Sequence, residues 1–116
     1  MFDFHMHSRV SFDGHDTGEA LARTALERGL KEICFTDHAD DDPKKLMQNL
    51  CFSMDAYSAA YDREFSTAVK VRRGMEFGML EHNQTLLREL LEKRPFDFVI
   101  GSVHFYAEED VYYPAF

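Results

Sequence analysis

Four short apolar segments, separated by segments with helical periodicity, constrain the fold of this chain most strongly. The apolar segments predict strands over residues 2–5, 32–36, 69–77 and 96–103. The intervening patterns predict helices over residues 19–28, 56–67 and 81–93. Strands and helices that alternate in this order are typical of an α/β fold, a parallel sheet or barrel with the helices outside.

The predicted helices have recognisable boundary signals. Asp16 or Thr17 can cap the first helix, and Gly29 follows its last turn as a C-terminal glycine should. Asp55 can cap the second helix, and residues 44–55 before it lack a clean period. We therefore expect an irregular excursion between the second strand and the second helix.

Two histidines lie at the end of the first predicted strand. In an extended strand, His5 and His7 point to the same face because alternate side chains do so. Two imidazoles at this spacing can bind one transition metal, at about 2.0 to 2.1 Å per nitrogen for zinc. A polar face on a half-buried strand explains the pair equally well, so the other candidate ligands decide between the two interpretations.

Further candidate ligands follow the other predicted strand ends. They are Asp13 and His15 after the first strand, Asp37 and His38 after the second, Glu76 at the end of the third, and His104 after the fourth. Functional groups in parallel α/β folds gather at the carboxyl ends of the strands. Imidazoles with carboxylates suit zinc, manganese or iron, and clustered metals can activate water for attack on a phosphate ester.

Each candidate also has a structural explanation. Asp13 could be a turn residue before glycine, and His15 a solvated loop residue. His38 could be a capped loop histidine, and His104 a core imidazole with its hydrogen bonds satisfied. Glu76 is the hardest to explain without function, because a carboxylate at the end of an apolar strand needs a partner if it is buried.

Length and charge narrow the class of protein. The 116 residues predict a single domain over 1–116, and the net charge of -8 argues against a nucleic-acid partner. No apolar run approaches the roughly 20 residues needed to cross a bilayer, so we expect no membrane partner. Cys34 and Cys51 form no Cys-x-x-Cys motif, and a cytoplasmic location is the expectation.

The ordered motifs resemble those of the polymerase-and-histidinol-phosphatase (PHP) superfamily. They are His5-Met6-His7-Ser8, Ser11-Phe12-Asp13-Gly14, Phe35-Thr36-Asp37-His38, Gly74-Met75-Glu76 and Ile100-Gly101-Ser102-Val103-His104. The segment 96–104 resembles the histidinol-phosphate phosphatase branch in particular. The resemblance implies the N-terminal half, about four βα units, of a distorted (β/α)7 barrel. It also implies a phosphatase of histidine biosynthesis that hydrolyses a phosphate monoester with a metal-activated water.

The resemblance implies a role for each matching residue. His5, His7 and Glu76 would hold a first divalent metal, Glu76 and His104 a second, and Asp13 and His38 a third, with His15 an outside candidate for the third. Glu76 and His104 would be the catalytic residues, since Glu76 bridges two ions. The ions would be zinc, manganese or iron.

The chain departs from the family pattern after His104. A further His and an Asp-x-His pair are expected from later strands, and no position after His104 supplies them. We therefore expect a truncated PHP domain. The alternative function is a remnant that binds metal but lacks catalysis on its own. Arg9 is the local candidate for binding the substrate phosphate.

The sequence also predicts a homo-oligomer. The strand edge after residues 99–103 is expected to be open, and aromatic residues follow it.

Overall fold

Strands and helices alternate along the chain as the sequence predicts. The computed structural model describes residues 1–44, 50–107 and 109–111. The elements are β1 (Phe2–Met6), α1 (Gly18–Glu27), β2 (Glu32–Ala39), α2 (Met54–Tyr61), β3 (Lys70–Gly78), α3 (Gln84–Lys93) and β4 (Phe98–Ser102). A short antiparallel pair, β5 (Phe105–Tyr106) and β6 (Glu109–Asp110), follows them.

The four long strands form one parallel sheet in the order β1-β2-β3-β4. In a flat sheet, β1 and β4 would lie roughly 14 Å apart, three strand spacings. The rings of Phe4 and Phe98, on these two edge strands, nevertheless approach to 5.7 Å between centroids. The sheet is therefore curled, and the fold is an α/β half-barrel.

A single hydrophobic cluster joins the sheet to the helices. Its buried members come from β2, β3 and all three helices, and include Ala22, Ala25, Ile33, Phe35, Tyr57, Tyr61, Met75, Phe77 and Leu90. The amphipathic spacing that identifies the helices in the sequence thus places their apolar faces against the strands. This packing fixes the sheet and leaves the carboxyl ends of the strands available for polar groups.

The boundaries of α1 confirm the sequence signals. Thr17 is the N-cap, and its hydroxyl accepts a hydrogen bond of 3.1 Å from the backbone N–H of Ala20. Gly29 follows the last turn with a φ of 77°, a backbone conformation that residues with a Cβ rarely adopt. Both features agree with the prediction.

The prediction for the second helix is wrong at both ends. Ser53 is the N-cap of α2, since its hydroxyl accepts a hydrogen bond from the backbone N–H of Ala56, and Asp55 lies in the first turn. The helix ends at Tyr61 and does not reach residue 67. The carbonyl of Tyr61 accepts a hydrogen bond of 2.8 Å from Arg73 Nε, a partner from β3 that the sequence pattern does not reveal.

The third helix begins later than predicted, at Gln84 and not at residue 81. The side chain of Asn83 accepts a hydrogen bond from the backbone N–H of Leu80 and donates one to the carbonyl of Gly78. These two bonds close a turn between β3 and α3. Residues 81–83 therefore belong to this turn.

The second strand is longer than predicted, since it continues through Asp37 and His38 to Ala39. Asp37 is fully buried, and its carboxylate accepts hydrogen bonds from the backbone N–H of Ser8 and from the hydroxyl of Tyr61. A polar residue can occupy the interior when its hydrogen bonds are satisfied in this way. The other strand boundaries differ from the prediction by one or two residues.

No helix among residues 1–44, 50–107 and 109–111 is long and apolar enough to cross a membrane. The cytoplasmic location stays a prediction. Part of the expected irregular excursion, residues 45–49, and the aromatic residues Tyr112, Tyr113 and Phe116 lie outside the described residues.

Replacing Tyr61 with Phe is predicted to destabilise the fold. The substitution keeps the ring but removes the hydroxyl, so a buried oxygen of Asp37 loses its donor. We expect the free energy of unfolding in urea titrations to fall by about 1 to 3 kcal/mol. Tyr106→Phe is the control, because that ring is 66% exposed and its change should stay within about 0.5 kcal/mol. Equal effects of the two substitutions would contradict the prediction.

Candidate metal centre

The carboxyl ends of the four parallel strands surround an open cavity of about 380 Å³. Its lining residues are His5, His7, Phe12, Asp13, His38, Asp40, Leu50, Glu76, His104, Phe105 and Asp110. All six residues that the sequence predicts as metal ligands are among them. The structure therefore brings these six together, and their role as ligands stays a prediction.

Glu76 lies at the centre of this group. It is on β3, with His38 of β2 beside it in the sheet, and only 4% of it is exposed. One carboxylate oxygen, Oε2, lies 2.9 Å from His5 Nε2 and 2.8 Å from His7 Nε2. The other, Oε1, lies 3.1 Å from His104 Nε2. One oxygen of the carboxylate thus faces two imidazoles, and the other oxygen faces a third.

Asp13 forms a second centre of contacts. Its Oδ2 lies 3.1 Å from His7 Nδ1 and 3.0 Å from His38 Nε2. His7 therefore contacts Asp13 through one ring nitrogen and Glu76 through the other. This arrangement joins the first strand, the loop after it, and β2 in one cluster.

The loop after β1 positions Asp13 through backbone contacts. The carbonyl of Ser8 accepts a hydrogen bond from the backbone N–H of Ser11, and the Ser11 hydroxyl accepts one from the backbone N–H of His38. A Cβ at Gly14 would lie 1.9 Å from the Ser8 carbonyl oxygen, so the loop requires glycine there. The Asp-Gly pair is therefore a turn, as its structural explanation proposes, and this turn also holds Asp13 beside His7 and His38.

The sequence analysis missed two residues of the site. Asp40 is buried, and its Oδ2 lies 2.5 Å from His104 Nδ1 and 3.6 Å from His38 Nδ1. Ser102 donates a hydrogen bond of 2.7 Å to Glu76 Oε1. Each lies two residues from a predicted ligand, His38 or His104, but neither residue type nor this spacing distinguishes it from an exposed polar residue. Asp40 directly follows β2, which ends at Ala39, and it was missed because its burial depends on tertiary contacts.

Other candidates lie away from the cavity. His15 is exposed and belongs to none of the ligand clusters formed by the described residues. Arg9 is exposed and does not line the cavity. His82 is an exposed residue in the turn before α3. Among the described residues, the cavity lining contains no Lys or Arg.

The charges of the site shift the pKa values of its residues. Burial opposes ionisation of Glu76, but hydrogen bonds from Ser102 and His5 and nearby imidazole charge outweigh it and lower the pKa of Glu76 to about 2. Burial also disfavours the charged form of His38, yet the carboxylates of Asp40, Asp13 and Glu76 raise its pKa above the ordinary value. Glu76 is therefore ionised at neutral pH.

The geometry of these residues fits divalent metal ions. Four ligands placed tetrahedrally at zinc–ligand distances lie roughly 3.3 Å from one another. The imidazole-to-carboxylate distances at Glu76 and Asp13 are 2.8 to 3.1 Å, so small shifts would open such sites. Three groups with suitable ligand atoms occur among the described residues: His5-His7-Glu76, His7-Asp13-His38 and His38-Asp40-His104. Imidazole and carboxylate are donors that zinc accepts.

A comparison with family models finds the PHP domain over residues 3–116. The chain belongs to the PHP domain family. The curved α/β sheet and the cluster at its strand ends agree with the resemblance seen in the sequence motifs. The PHP model covers nearly the whole chain.

Relatives of this PHP chain include named phosphatases. It is 32% identical over 115 residues to the histidinol-phosphatase of Lactococcus lactis. This match covers 95% of this chain and 41% of that protein. It is 32% identical over 110 residues to a probable histidinol-phosphatase of Deinococcus radiodurans, covering 89% of this chain and 42% of the relative. The chain thus spans about two fifths of the length of these relatives.

A solved structure shares the PHP fold. The crystal structure of the Lactococcus lactis histidinol phosphate phosphatase, complexed with zinc, L-histidinol and phosphate, superimposes with a TM-score of 0.69 and 28% identity. The match covers 95% of this chain and 42% of that structure. The fold prediction, an α/β half-barrel of the PHP type, is confirmed.

Replacing Glu76 with Gln is predicted to reduce the dependence of stability on pH in acid. The folded chain keeps Glu76 ionised to about pH 2, whereas the unfolded chain protonates it near pH 4.5. Its contribution to stability is therefore present above about pH 4.5 and is lost as the pH falls toward 2. Urea titrations in the presence of a chelator should show a shallower fall for Glu76→Gln than for the unmodified chain.

Glu81→Gln is the matched control for this measurement, because the Glu81 side chain is 90% exposed. It should leave the pH dependence unchanged. If Glu76→Gln and Glu81→Gln gave the same pH profile as the unmodified chain, the hydrogen bonds and imidazole charge around Glu76 would not be favouring its ionised form.

Proposed function

We propose that this chain carries metal ligands of a phosphoesterase that hydrolyses a small phosphate monoester, with histidinol phosphate as the substrate. The arrangement of Glu76 carries the proposal. Its Oε2 faces His5 and His7, and its Oε1 faces His104. A carboxylate with one oxygen facing a pair of imidazoles and the other oxygen facing a third imidazole is suited to bridge two cations.

The described residues would hold the ions in three groups. His5, His7 and Glu76 would bind one ion, Glu76 and His104 another, and Asp13 and His38 a third. Bound divalent ions would supply Lewis acidity and a water of lowered pKa as the nucleophile. Ser102 would keep the Glu76 carboxylate oriented by donating to Oε1. Zinc is the metal we propose to test first, since the similar Lactococcus structure contains it.

The charge of the cavity explains why such an enzyme needs metal. Asp13, Asp40 and Glu76 line it, and none of its described lining residues is Lys or Arg. A phosphate dianion would be repelled by these carboxylates unless cations neutralise them. The residues of this chain would therefore bind cations first and the phosphate through them.

The choice of histidinol phosphate rests on the relatives. Proteins named histidinol-phosphatase match this chain at 32% identity, and the similar solved structure binds L-histidinol and phosphate. The cavity of about 380 Å³ suits a small ligand, and Phe12, Leu50 and Phe105 add apolar surface to it.

The alternative is a PHP chain that binds metal but does not turn over a phosphate ester on its own. This candidate is considered because the match covers about two fifths of the length of each relative. Metal binding is common to both candidates. Turnover separates them.

Zinc binding followed by a phosphatase assay tests the proposal. After treatment with a chelator and dialysis, the chain should bind zinc, and added zinc or manganese should produce phosphate release from histidinol phosphate. Glu76→Gln should weaken two sites at once, because a neutral amide cannot bridge two cations as a carboxylate does. We expect at least a 10-fold loss of zinc affinity.

The outcomes separate the candidates. Phosphate release that depends on metal and is lost in Glu76→Gln supports the phosphoesterase. Zinc binding without release of phosphate favours the alternative. A chain that binds neither zinc nor manganese would overturn both. Glu81→Gln, on the exposed turn before α3, should behave as the unmodified chain.

We also propose that the chain forms homo-oligomers through β4. This strand is an edge of the sheet, and the side chains of Phe98, Val99 and Val103 in and beside it are 39%, 37% and 59% exposed. An unpaired strand edge with exposed apolar side chains is a template for association. A second copy could cover this surface.

Sedimentation at increasing protein concentration tests this association. The chain should form dimers or larger species at tens of micromolar, and Val99→Lys should shift it toward monomer by placing a charge on the strand edge. Leu26→Lys is the control, since Leu26 is also exposed, at 46%, and lies on α1 and not on β4. A monomer at all concentrations would contradict the proposal.

A further inference from the structure

Asp40 lies behind two of the proposed ligands. Its Oδ2 lies 2.5 Å from Nδ1 of His104 and 3.6 Å from Nδ1 of His38. The opposite ring nitrogens, both Nε2, face Glu76 Oε1 at 3.1 Å and Asp13 Oδ2 at 3.0 Å. The Asp40 carboxylate thus lies near Nδ1 of both His38 and His104, while Nε2 of each ring faces a proposed metal site.

The position of Asp40 is fixed by the fold. Its backbone N–H donates a hydrogen bond of 3.1 Å to the carbonyl of Leu50, next to an isolated bridge between Ala39 and Cys51. A Cβ at Gly78, two residues beyond Glu76 on β3, would lie 2.5 Å from Asp40 Oδ1. The absence of a side chain at Gly78 therefore makes room for this carboxylate.

Two buried atoms of this group have no hydrogen-bond partner among the described residues. They are Asp40 Oδ1 and His38 Nδ1. The Asp40 side chain is only 5% exposed, so a carboxylate there is costly unless it serves neighbouring donors or cations. The separation of 3.6 Å from His38 Nδ1 exceeds a hydrogen bond, and a small movement of the ring would close it.

We propose that Asp40 is a positioning residue for both His38 and His104, accepting their Nδ1–H groups so that each Nε2 faces a metal. A histidine that ligates a metal through one nitrogen commonly donates the other N–H to a carboxylate, which fixes the tautomer and the ring orientation. Asp40 is then an outer support shared by two metal sites, one that would be ligated by His38 and one by His104. This inference rests on the metal-binding part of the proposed function.

A direct metal site between the three side chains is the competing arrangement, since their ligand atoms also lie within 4.8 Å of one another. It would use the two Nδ1 atoms with Asp40. Both Nε2 atoms already face carboxylates that belong to the other two groups. The positioning role therefore accounts for both nitrogens of each ring.

Zinc titration against a chromophoric chelator tests the proposal with the full chain. Asp40→Asn should weaken zinc binding about 10- to 100-fold, the loss typical when such an outer partner is removed. Asp41→Asn is the matched control, because it removes the same charge at the next position and Asp41 belongs to none of the three ligand groups. It should retain the affinity of the unmodified chain.

A second measurement needs no substitution at Asp40. Nitrogen-15 NMR of the zinc-loaded chain should show His38 and His104 protonated at Nδ1 and ligated through Nε2. Gly78→Ala should weaken zinc binding while leaving the Asp40 charge in place, because the added Cβ displaces the carboxylate. Circular dichroism of each variant verifies that the chain is folded.

The outcomes distinguish this proposal from the proposed function. If the unmodified chain binds zinc and Asp40→Asn binds it equally well, or if either Nδ1 is the ligand, the role of Asp40 is overturned and the metal site stands. If zinc binding follows the expectation but no phosphate is released, the phosphatase is overturned and Asp40 keeps its role. If the unmodified chain binds no zinc, both are overturned.

Discussion

The buried carboxylate of Glu76 is the interaction on which the rest of the site depends. An anion with so little exposure must be compensated, and its partners come from β1, β4 and the segment after β4. Ser102 and His104 come from β4 and the segment after it, next to β3, whereas His5 lies on β1, two strands away, and reaches Glu76 because the sheet is curled. The curvature of the half-barrel and the compensation of this one charge are therefore coupled.

A second buried acid serves the fold and not the cavity. Asp37 does not line the cavity; it joins the loop after β1 to α2 through Ser8 and Tyr61, and burial raises its pKa. Its neighbour His38 points into the cavity, because successive residues of a strand face opposite sides. The pair thus shows how one strand can supply a structural anchor and a proposed ligand at consecutive positions.

The sequence predicted the alternation of strands and helices, a first helix capped by Asp16 or Thr17, of which Thr17 is the cap, and the six proposed ligands that gather at the strand ends. These features depend on local pattern and on the rule that parallel strands end at one edge. The errors have tertiary causes. The end of α2 depends on Arg73 from β3, and the length of β2 depends on donors from Ser8 and Tyr61. Local periodicity contains no information about such partners.

Asp40 illustrates the same limit at the site. In the sequence it is one of four aspartates that are typical of a polar loop, and its burial arises from contacts with separate parts of the chain. Gly78 leaves space for its carboxylate, and the carbonyl of Leu50 fixes its backbone. The proposed metal ligands could be found from residue type and strand position alone. Their supports could not, because a carboxylate that orients an imidazole is recognised by which ring nitrogen it faces, and only the folded geometry supplies that information.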